Sequence, residues 1–319
     1  DVYCSALPLF HIAGLLATVY AAGIVGASTV IVGPFSVERF WQDVEKYHVT
    51  TTFLLGAMAN FIYKQPLTEQ DSDDSLERVL MVPLIPEVET FKNRFGCRVS
   101  TTWGGTEMNC PTQSGFVLAD NKTCGRAVED RYEVRIVDEF DHEVPDGTPG
   151  EALVRTKVPW IATNGYWQHP EWTAALLKNQ WIHTGDMLSK DQHGNLYFVD
   201  RTKDAIRRRG ENISSMEVEN EINAHGDVLE CAVVPVASTD TEQEVLAVIV
   251  VQPEAQINPE SLIRFLEPRL PYFMIPRYIR FADALPKTST GKIQKYLVRD
   301  LGLSEGTWDR EVAGVKLQR

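Results

Sequence analysis

The sequence predicts an α/β protein: part of a large α/β N-terminal domain that carries a β-rich subdomain, followed by a small α+β C-terminal domain. Three observations carry that expectation. Residues 1–102 alternate between helical and strand periods. Residues 115–200 break into short strands, and from Arg201 helices and strands alternate again over a shorter span. With 319 residues, 44% hydrophobic and 24% charged, there is room for about two cores at ~100–200 residues per domain. Disordered and collagen-like chains are excluded by the same composition.

The run from Val2 to Val37 carries no Asp, Glu, Lys or Arg. A span of ~20 apolar residues could cross a bilayer, but Gly14, Gly23, Gly26 and Gly33 interrupt this one and Pro8 and Pro34 bound it. It reads instead as a buried helix from about His11 to Gly26 and a buried strand from Ser28 to Val32, with no transmembrane segment. Next, Val37, Phe40, Trp41 and Val44 recur at three and four behind Ser36, a helix with an N-cap. Thr51 to Leu55 is a β-rich buried run. Leu76 to Leu84 and Arg98 to Thr102 read as strands separated by a helix over Val88 to Phe95. Such alternation implies a mainly parallel sheet covered by helices.

Glu133 to Val137, Glu151 to Arg155 and Leu196 to Val199 are short strands punctuated by Asp146-Gly147, Pro149-Gly150 and His193-Gly194, the spacing of an antiparallel sheet or distorted barrel. Ser214-x-x-Glu217 then has the form of a capping box ahead of a helix carrying Val218 and Ile222. Strands follow at Val228 to Val236 and Glu244 to Gln252. Asn258-Pro259 opens a helix, Pro286 to Gly291 is a polar loop, and Ile293 to Asp300 is a last helix. The expected division is 1–202 for the large-domain portion, with 115–200 as its β-rich part, and 203–319 for the small domain.

Net charge is −13, which disfavours nucleic acid and anionic membranes as partners. From Arg201 onward 16 basic residues face 18 acidic ones, so the deficit lies in the first two-thirds and a polyanionic ligand there needs local groups. Five scattered cysteines without a CxxC pair read as reduced thiols of a cytoplasmic protein. The chain opens at Asp1 in the middle of an apolar pattern, as a piece of a longer chain would.

Lys287-Thr-Ser-Thr-Gly-Lys292 has the look of a Walker loop, but Pro286 and Ile293 stand where Gly and Ser/Thr are required. Four other segments carry chemistry jointly, although each alone has a bland reading. Thr102-Trp-Gly-Gly-Thr-Glu107 follows a predicted strand: its glycines admit a ligand to the backbone, Trp103 offers a stacking face, and Thr106 and Glu107 offer oxygens suited to Mg²⁺. Alone it is a glycine turn with a buried Trp. Trp181-Ile-His-Thr-Gly-Asp186 places a carboxylate after a tight turn, suited to ribose hydroxyls. Asp200-Arg-Thr-Lys-Asp204 to Asn212 is charge-dense, as a solvated linker would also be. Lys292, in a polar loop, is a cation for a phosphate or carboxylate, or one surface Lys among many.

The order and joint occurrence of these segments resemble the adenylate-forming superfamily of acyl-CoA synthetases, luciferases and peptide-synthetase adenylation domains. The likeness covers essentially the whole chain. It is strongest to medium-chain acyl-CoA and crotonobetaine/carnitine-CoA ligases, through Asn164-Gly-Tyr-Trp…Pro170-Glu-x-Thr173, His183-Thr-Gly-Asp186 and Arg209-Gly-Glu-Asn-Ile-Ser214. The resemblance implies a carboxylate–CoA ligase that uses ATP, Mg²⁺ and coenzyme A. It would convert a small-to-medium organic or fatty acid to an acyl-adenylate and then to a thioester.

The same resemblance assigns roles by position. Trp103 matches the aromatic residue on adenine, Thr106 and Glu107 the phosphate- and Mg²⁺-binding pair, and Val82 to Ile85 loosely the opposite adenine wall. Asp186 matches the ribose carboxylate, Arg201 the arginine near the ribose and α-phosphate, and Lys292 the catalytic lysine of adenylation. Lys203 matches the hinge, Gly210 the position beside the pantetheine tunnel, and His11 the histidine beside the acyl carboxylate, with a satisfied core His as the alternative. The acyl pocket is expected around Leu55 to Ala59, Gly104 to Cys110 and the His11 segment.

The superfamily's Ser/Thr/Gly-rich phosphate loop belongs N-terminal to the His11 segment, so residues 1–319 alone are expected to be inactive or nearly so. Two alternatives stay open: adenylation with delivery to a carrier protein or an oxygen acceptor, and a non-catalytic ligase remnant. A homo-oligomer is also left open.

Overall fold

The structure, a computed structural model, describes all residues except 69–70, 73–74, 209–210, 239–241, 254, 289–290 and 318–319, and of residue 212 the backbone only. The fold is mixed α/β, and its contacts divide the chain into two compact units, Asp1–Phe198 and Val199–Arg319.

The first unit opens with a parallel sheet. Strands β1 (Val2–Ser5), β2 (Ser28–Ile31), β3 (Thr51–Leu55), β4 (Arg78–Val82) and β5 (Arg98–Ser100) lie in the order β2-β1-β3-β4-β5. A helical run of α1 (Ile12–Gly14), a π-helical turn (Leu15–Tyr20) and α2 (Ala21–Val25) links the first two strands. Helices α3 (Val37–Tyr47), α4 (Gly56–Tyr63) and α5 (Val88–Phe95) follow. The apolar stripe read from the sequence on α3 meets the sheet: Phe40 and Val44, together with Ile62 of α4, a helix the sequence reading did not assign, and Phe91 and Phe95 of α5, pack with Leu54, Met81 and Val99.

The helix and strand expected to be buried at residues 11–32 are only half so. Ala13, Thr18 and Ala22 are buried, but Leu15, Leu16, Tyr20, Ile24 and Val25 are exposed, as is Ile31 of β2. The run is apolar on every side while a sheet covers only one side. Among the described residues, strand β2 is the outermost strand of that sheet and pairs only with β1.

The rest of the unit is antiparallel, as the turn spacing implied. Strands β6 (Thr112–Gln113), β7 (Thr123–Ala127), β8 (Tyr132–Val137), β9 (Gly150–Thr156), β11 (Trp181–Lys190) and β12 (Asn195–Arg201) lie in the order β6-β7-β12-β11-β9-β8, and β10 (Leu177–Lys178) pairs with β11. Helix α6 (Pro170–Leu176) precedes β10. Ile136, Ala152, Val154, Ile182, Leu188 and Leu196 form the core, which also takes in Trp103 and Met108.

In the second unit, β13 (Ile206–Arg208) and β14 (Glu211–Ile213) pair antiparallel and α7 (Ser215–Asn223) follows. Strands β15 (Val228–Ala237) and β16 (Gln243–Val251) pair antiparallel, β17 (Tyr278–Phe281) adds in parallel and β18 (Trp308–Asp309) closes the sheet. Both β15 and β16 are apolar on both faces because both faces are covered. Val233, Val245, Ala247 and Ile249 pack with α7 and with α8 (Pro259–Leu266), while Ala232, Val234, Leu246 and Val248 pack with Val298 of α9 (Lys295–Leu301). Two of the three expected N-caps form: Ser214 Oγ accepts from the Glu217 N–H at 3.1 Å, and Asn258 and Ser261 make a reciprocal box, whereas Ser36 ahead of α3 makes no side-chain cap bond among the described residues.

Candidate active site

Three of the segments singled out in the sequence leave the carboxyl ends of parallel strands. β1 leads to His11, β4 to Val82–Ile85 and β5 to the Thr102–Glu107 loop. That end is where open α/β sheets present ligand-binding loops.

The Thr102–Glu107 loop is pinned at its base. Thr102 Oγ1 donates to the Thr112 carbonyl at 2.6 Å, and the Trp103 N–H donates to Thr112 Oγ1 at 2.8 Å. Its tip closes through the Gly105 N–H to the Asn109 carbonyl at 2.9 Å. This closure revises the role read for the glycines. A Cβ on Gly104 would lie 2.0 Å from the Asn109 carbonyl oxygen, so this glycine admits the chain's own backbone rather than a ligand. A Cβ on Gly105 would meet only the ends of Glu107 and Met108, at 3.3 and 3.5 Å.

Trp103, expected to offer a face for stacking, is 5% exposed and sits in the apolar cluster with Met108, Cys124 and Leu196. Its indole Nε1–H donates to Asp186 Oδ2 at 2.9 Å, joining positions 83 residues apart. Asp186 is buried at 7% exposure. It lies inside the ten-residue strand β11, not after a simple turn, where the register shifts between His183 and Met187. Gly185, at φ +67°, supplies the left-handed residue of that irregularity. Side chains hold the kink: Thr184 Oγ1 donates to the Ala152 carbonyl at 2.7 Å and accepts from the Asp186 N–H at 3.1 Å. The Glu151 carboxylate accepts from the Gly185 N–H at 3.0 Å, and its other oxygen lies 3.2 Å from His183 Nδ1.

Thr106 is exposed and Glu107 half-buried. Glu107 is clasped by the segment after residue 160: its carbonyl accepts from the Thr163 N–H at 2.7 Å, and its Oε1 from the Tyr166 hydroxyl at 2.8 Å. Burial, and then the Glu107 carboxylate, push the Tyr166 phenol up to about 12, so it is a donor at neutral pH. Among the described residues no group of three or more His, Cys, Asp or Glu could hold a metal by itself. Glu107 and Thr106 nevertheless fit Mg²⁺, which usually takes one or two carboxylates and completes its shell with water and substrate phosphates.

His11 caps α1, with its Nδ1 accepting from the Ala13 N–H at 3.1 Å, which places the ring proton on Nε2. It therefore has a local structural task whatever else it does. Met58 and Ala59, expected beside the acyl group, lie in the core of the first unit.

In the second unit Arg201 and Lys203 are exposed on a turn closed by the Asp204 and Ala205 N–H groups donating to the Arg201 carbonyl. Asp200 Oδ1 accepts from the Arg201 N–H at 2.7 Å, and Arg299 of α9 donates to the Lys203 carbonyl at 3.0 Å. Lys292 is exposed on a separate tight loop, its N–H donating to Thr288 Oγ1 at 3.1 Å and its carbonyl accepting from the Thr288 N–H at 2.8 Å. Gly210, expected beside the CoA tunnel, lies outside the described residues.

The structure thus joins Trp103 to Asp186 and places Thr106 and Glu107 on the Trp103 loop. Sequence reasoning assigned no role to Tyr166, Glu151 or Thr112. Tyr166 was within reach, because it belongs to the Asn164-Gly-Tyr-Trp motif. Glu151 and Thr112 act through contacts that no spacing encodes.

Residues 1–167 match the family described as AMP-binding enzyme, and residues 217–292 match the AMP-binding enzyme C-terminal domain. A crotonobetaine/carnitine–CoA ligase of Escherichia coli is 32% identical over 302 residues, covering 92% of this chain and 57% of the relative. The chain therefore spans little more than half the length of such relatives. A benzoate CoA ligase from Burkholderia xenovorans superposes with a TM-score of 0.81 at 29% identity, over 94% of this chain and 61% of that one. An amide bond synthetase from Marinactinospora thermotolerans superposes with a TM-score of 0.80 at 28% identity, over 93% and 61%.

Proposed function

The chain belongs to the AMP-binding enzyme family, and from that premise we propose that it carries the nucleotide site and the mobile small domain of an ATP-dependent carboxylic acid–CoA ligase. The observation that carries this reading is the buried Asp186 bonded to Trp103, with Glu107 on the same loop. A carboxylate is a poor electrophile, and transfer of AMP makes it a mixed anhydride with a good leaving group. Asp186 would accept from ribose hydroxyls, and Trp103, enclosed in the apolar cluster, would present at most an edge to the adenine. Thr106 would contact phosphate, and Glu107 would hold Mg²⁺, whose charge offsets that of the phosphates when it is bound.

Lys292 and Arg201 would stabilise the charge that builds as the carboxylate approaches the α-phosphorus, the kind of preorganised electrostatics on which such a step depends. Torsion changes at Lys203 would then exchange Lys292 for the thiol-delivering face. His11, through Nε2–H, would orient the acyl carboxylate. A small-to-medium organic or fatty acid suits the apolar Met108 and the absence of an evident counter-charge in the expected pocket segments. The first half-reaction also calls for backbone N–H groups around the β- and γ-phosphates.

The amide-forming relative keeps a second reading in view, delivery of the acyl group to an acceptor other than CoA. The test is AMP formation by the protein carrying this chain, with a panel of carboxylic acids, with and without CoA. Acid-dependent AMP that rises strongly with CoA, and falls at least about 100-fold in Lys292→Ala, is expected, one charged transition-state donor being worth about 2.7–4 kcal/mol. Acid-dependent pyrophosphate exchange indifferent to CoA would favour the second reading. No turnover with any acid, together with no AMP binding by calorimetry, would overturn both.

A further inference from the structure

We propose that Trp103 is a positioning residue for Asp186, and that its indole N–H sets how strongly the site distinguishes a ribose from a sugar without hydroxyls. This deepens the nucleotide-site reading above and rests on it. The geometry has three parts. The indole is almost fully enclosed by Met108, Cys124, Leu196 and their neighbours, so its ring cannot turn without disturbing that cluster. An indole has a single N–H and, when buried, uses it on a partner; here the partner is Asp186 Oδ2 at 2.9 Å. The Asp186 backbone is fixed as well, through Thr184 Oγ1 to its N–H and through Glu151 to the Gly185 N–H before it.

With backbone and Oδ2 both held, rotation of the carboxylate about its last torsion is stopped and the direction of Oδ1 is set. A carboxylate aimed in advance accepts from a ribose hydroxyl without first being ordered, which is the advantage of a preorganised site. A phenyl ring at position 103 would keep an aromatic surface but lose the N–H. The buried carboxylate would then be short the donor that holds Oδ2.

The experiment measures binding of AMP and of 2′,3′-dideoxy-AMP by calorimetry to the protein carrying this chain, wild type and Trp103→Phe. Loss of a hydrogen bond to a charged group predicts that AMP affinity falls about tenfold or more while dideoxy-AMP affinity changes little, so the ratio of the two collapses. A role limited to adenine stacking or to packing lowers both affinities equally and overturns the proposal. A second measurement depends neither on Trp103→Phe nor on any nucleotide: the Trp103 indole N–H resonance and its exchange with solvent, in wild type and Asp186→Ala. A downfield, slowly exchanging proton that moves upfield and exchanges faster in Asp186→Ala is expected. An unmoved resonance overturns the positioning role. Wild-type protein that binds neither nucleotide, with the indole result as expected, overturns the nucleotide-site reading and the sugar discrimination with it.

Discussion

Gly104 should not tolerate a methyl group, and its neighbour Gly105 should. A Cβ on Gly104 would lie 2.0 Å from the Asn109 carbonyl oxygen and 2.9 Å from both the Asn109 carbonyl carbon and the Cys110 Cα. Ordinary carbon–oxygen contacts begin near about 3.3 Å, so backbone must move by more than about 1 Å. The atom in the way is the acceptor of the Gly105 N–H bond that closes the loop. Overpacking against backbone costs about 1–3 kcal/mol, and the strained hydrogen bond adds about 1 kcal/mol. Gly104→Ala is therefore expected to lose roughly 2–4 kcal/mol, a fall of roughly 5–15 °C in the melting temperature of a unit this size. The nearest atoms to a Cβ on Gly105 are the ends of flexible side chains, so Gly105→Ala should cost under about 1 kcal/mol. Neither residue has positive φ, so space alone separates the two variants. Thermal unfolding followed by near-ultraviolet circular dichroism compares them. A Gly104→Ala protein melting within about 2 °C of wild type, or a Gly105→Ala protein losing as much, would refute the reasoning.

Other consequences can be read from the same contacts. Tyr166→Phe removes the donor to Glu107 Oε1 but keeps the ring. The Mg²⁺ concentration for half-maximal AMP formation should shift severalfold, with little change in melting temperature, from the loss of a hydrogen bond to a charged group; an unchanged Mg²⁺ response would count against the role of Glu107. In the second unit burial pushes the Glu219 carboxyl up to about 7, with Lys295 Nζ at 2.7 Å and the Val233 N–H pulling it back and Asp200 adding to the rise. Between pH 4.5 and 7 the folded state then holds a proton that the unfolded state releases. Stability from this group is greatest at the acid end and falls as pH rises, by at most about 1.4 kcal/mol per unit. Denaturant unfolding at several pH values should show that slope in wild type and a flatter one in Glu219→Gln; parallel slopes would contradict it. Burial also pushes the thiols of Cys4 to about 11 and Cys124 to about 12, so alkylation of the folded protein at pH 8 should spare both.

Much of the fold was legible because its signals are local. The helix over Val88–Phe95 and the strand over Thr51–Leu55 have the limits their periodicity gave, and the caps at Ser214 and Asn258 are made by the residues that announced them. Strand β11 was not legible. Thr184-Gly185-Asp186 is a turn signal, and only pairing with β9, together with a bulge at Gly185, turns it into the middle of a ten-residue strand. The helical run after His11 was seen, but its exposure was not, since an all-apolar run gives no indication of which face meets a sheet. In the site, the motifs located Trp103, Glu107 and Asp186 singly. Their mutual geometry was hidden because an indole N–H reaching a carboxylate 83 residues away leaves no periodic trace.

The way these residues are held bears on what the site can do. Trp103 and Met108 belong at once to the candidate site and to the apolar cluster under the antiparallel sheet, and Asp186 lies on a strand of that sheet. Glu107, by contrast, is half-exposed and clasped by Thr163 and Tyr166, on a stretch whose Trp160 and Trp167 face solvent. Groups embedded in a core keep their geometry through binding and catalysis, whereas groups on lightly packed loops are drawn from the less stable end of the structure. That division suits a nucleotide enzyme. The sugar-binding carboxylate must be in place before the ligand arrives, while the group that meets phosphate and metal must accommodate changing charge and the departure of pyrophosphate. Substitutions under the Trp103–Asp186 pair should therefore alter nucleotide affinity and folding stability together. Substitutions around Tyr166 should alter the metal response with the fold intact.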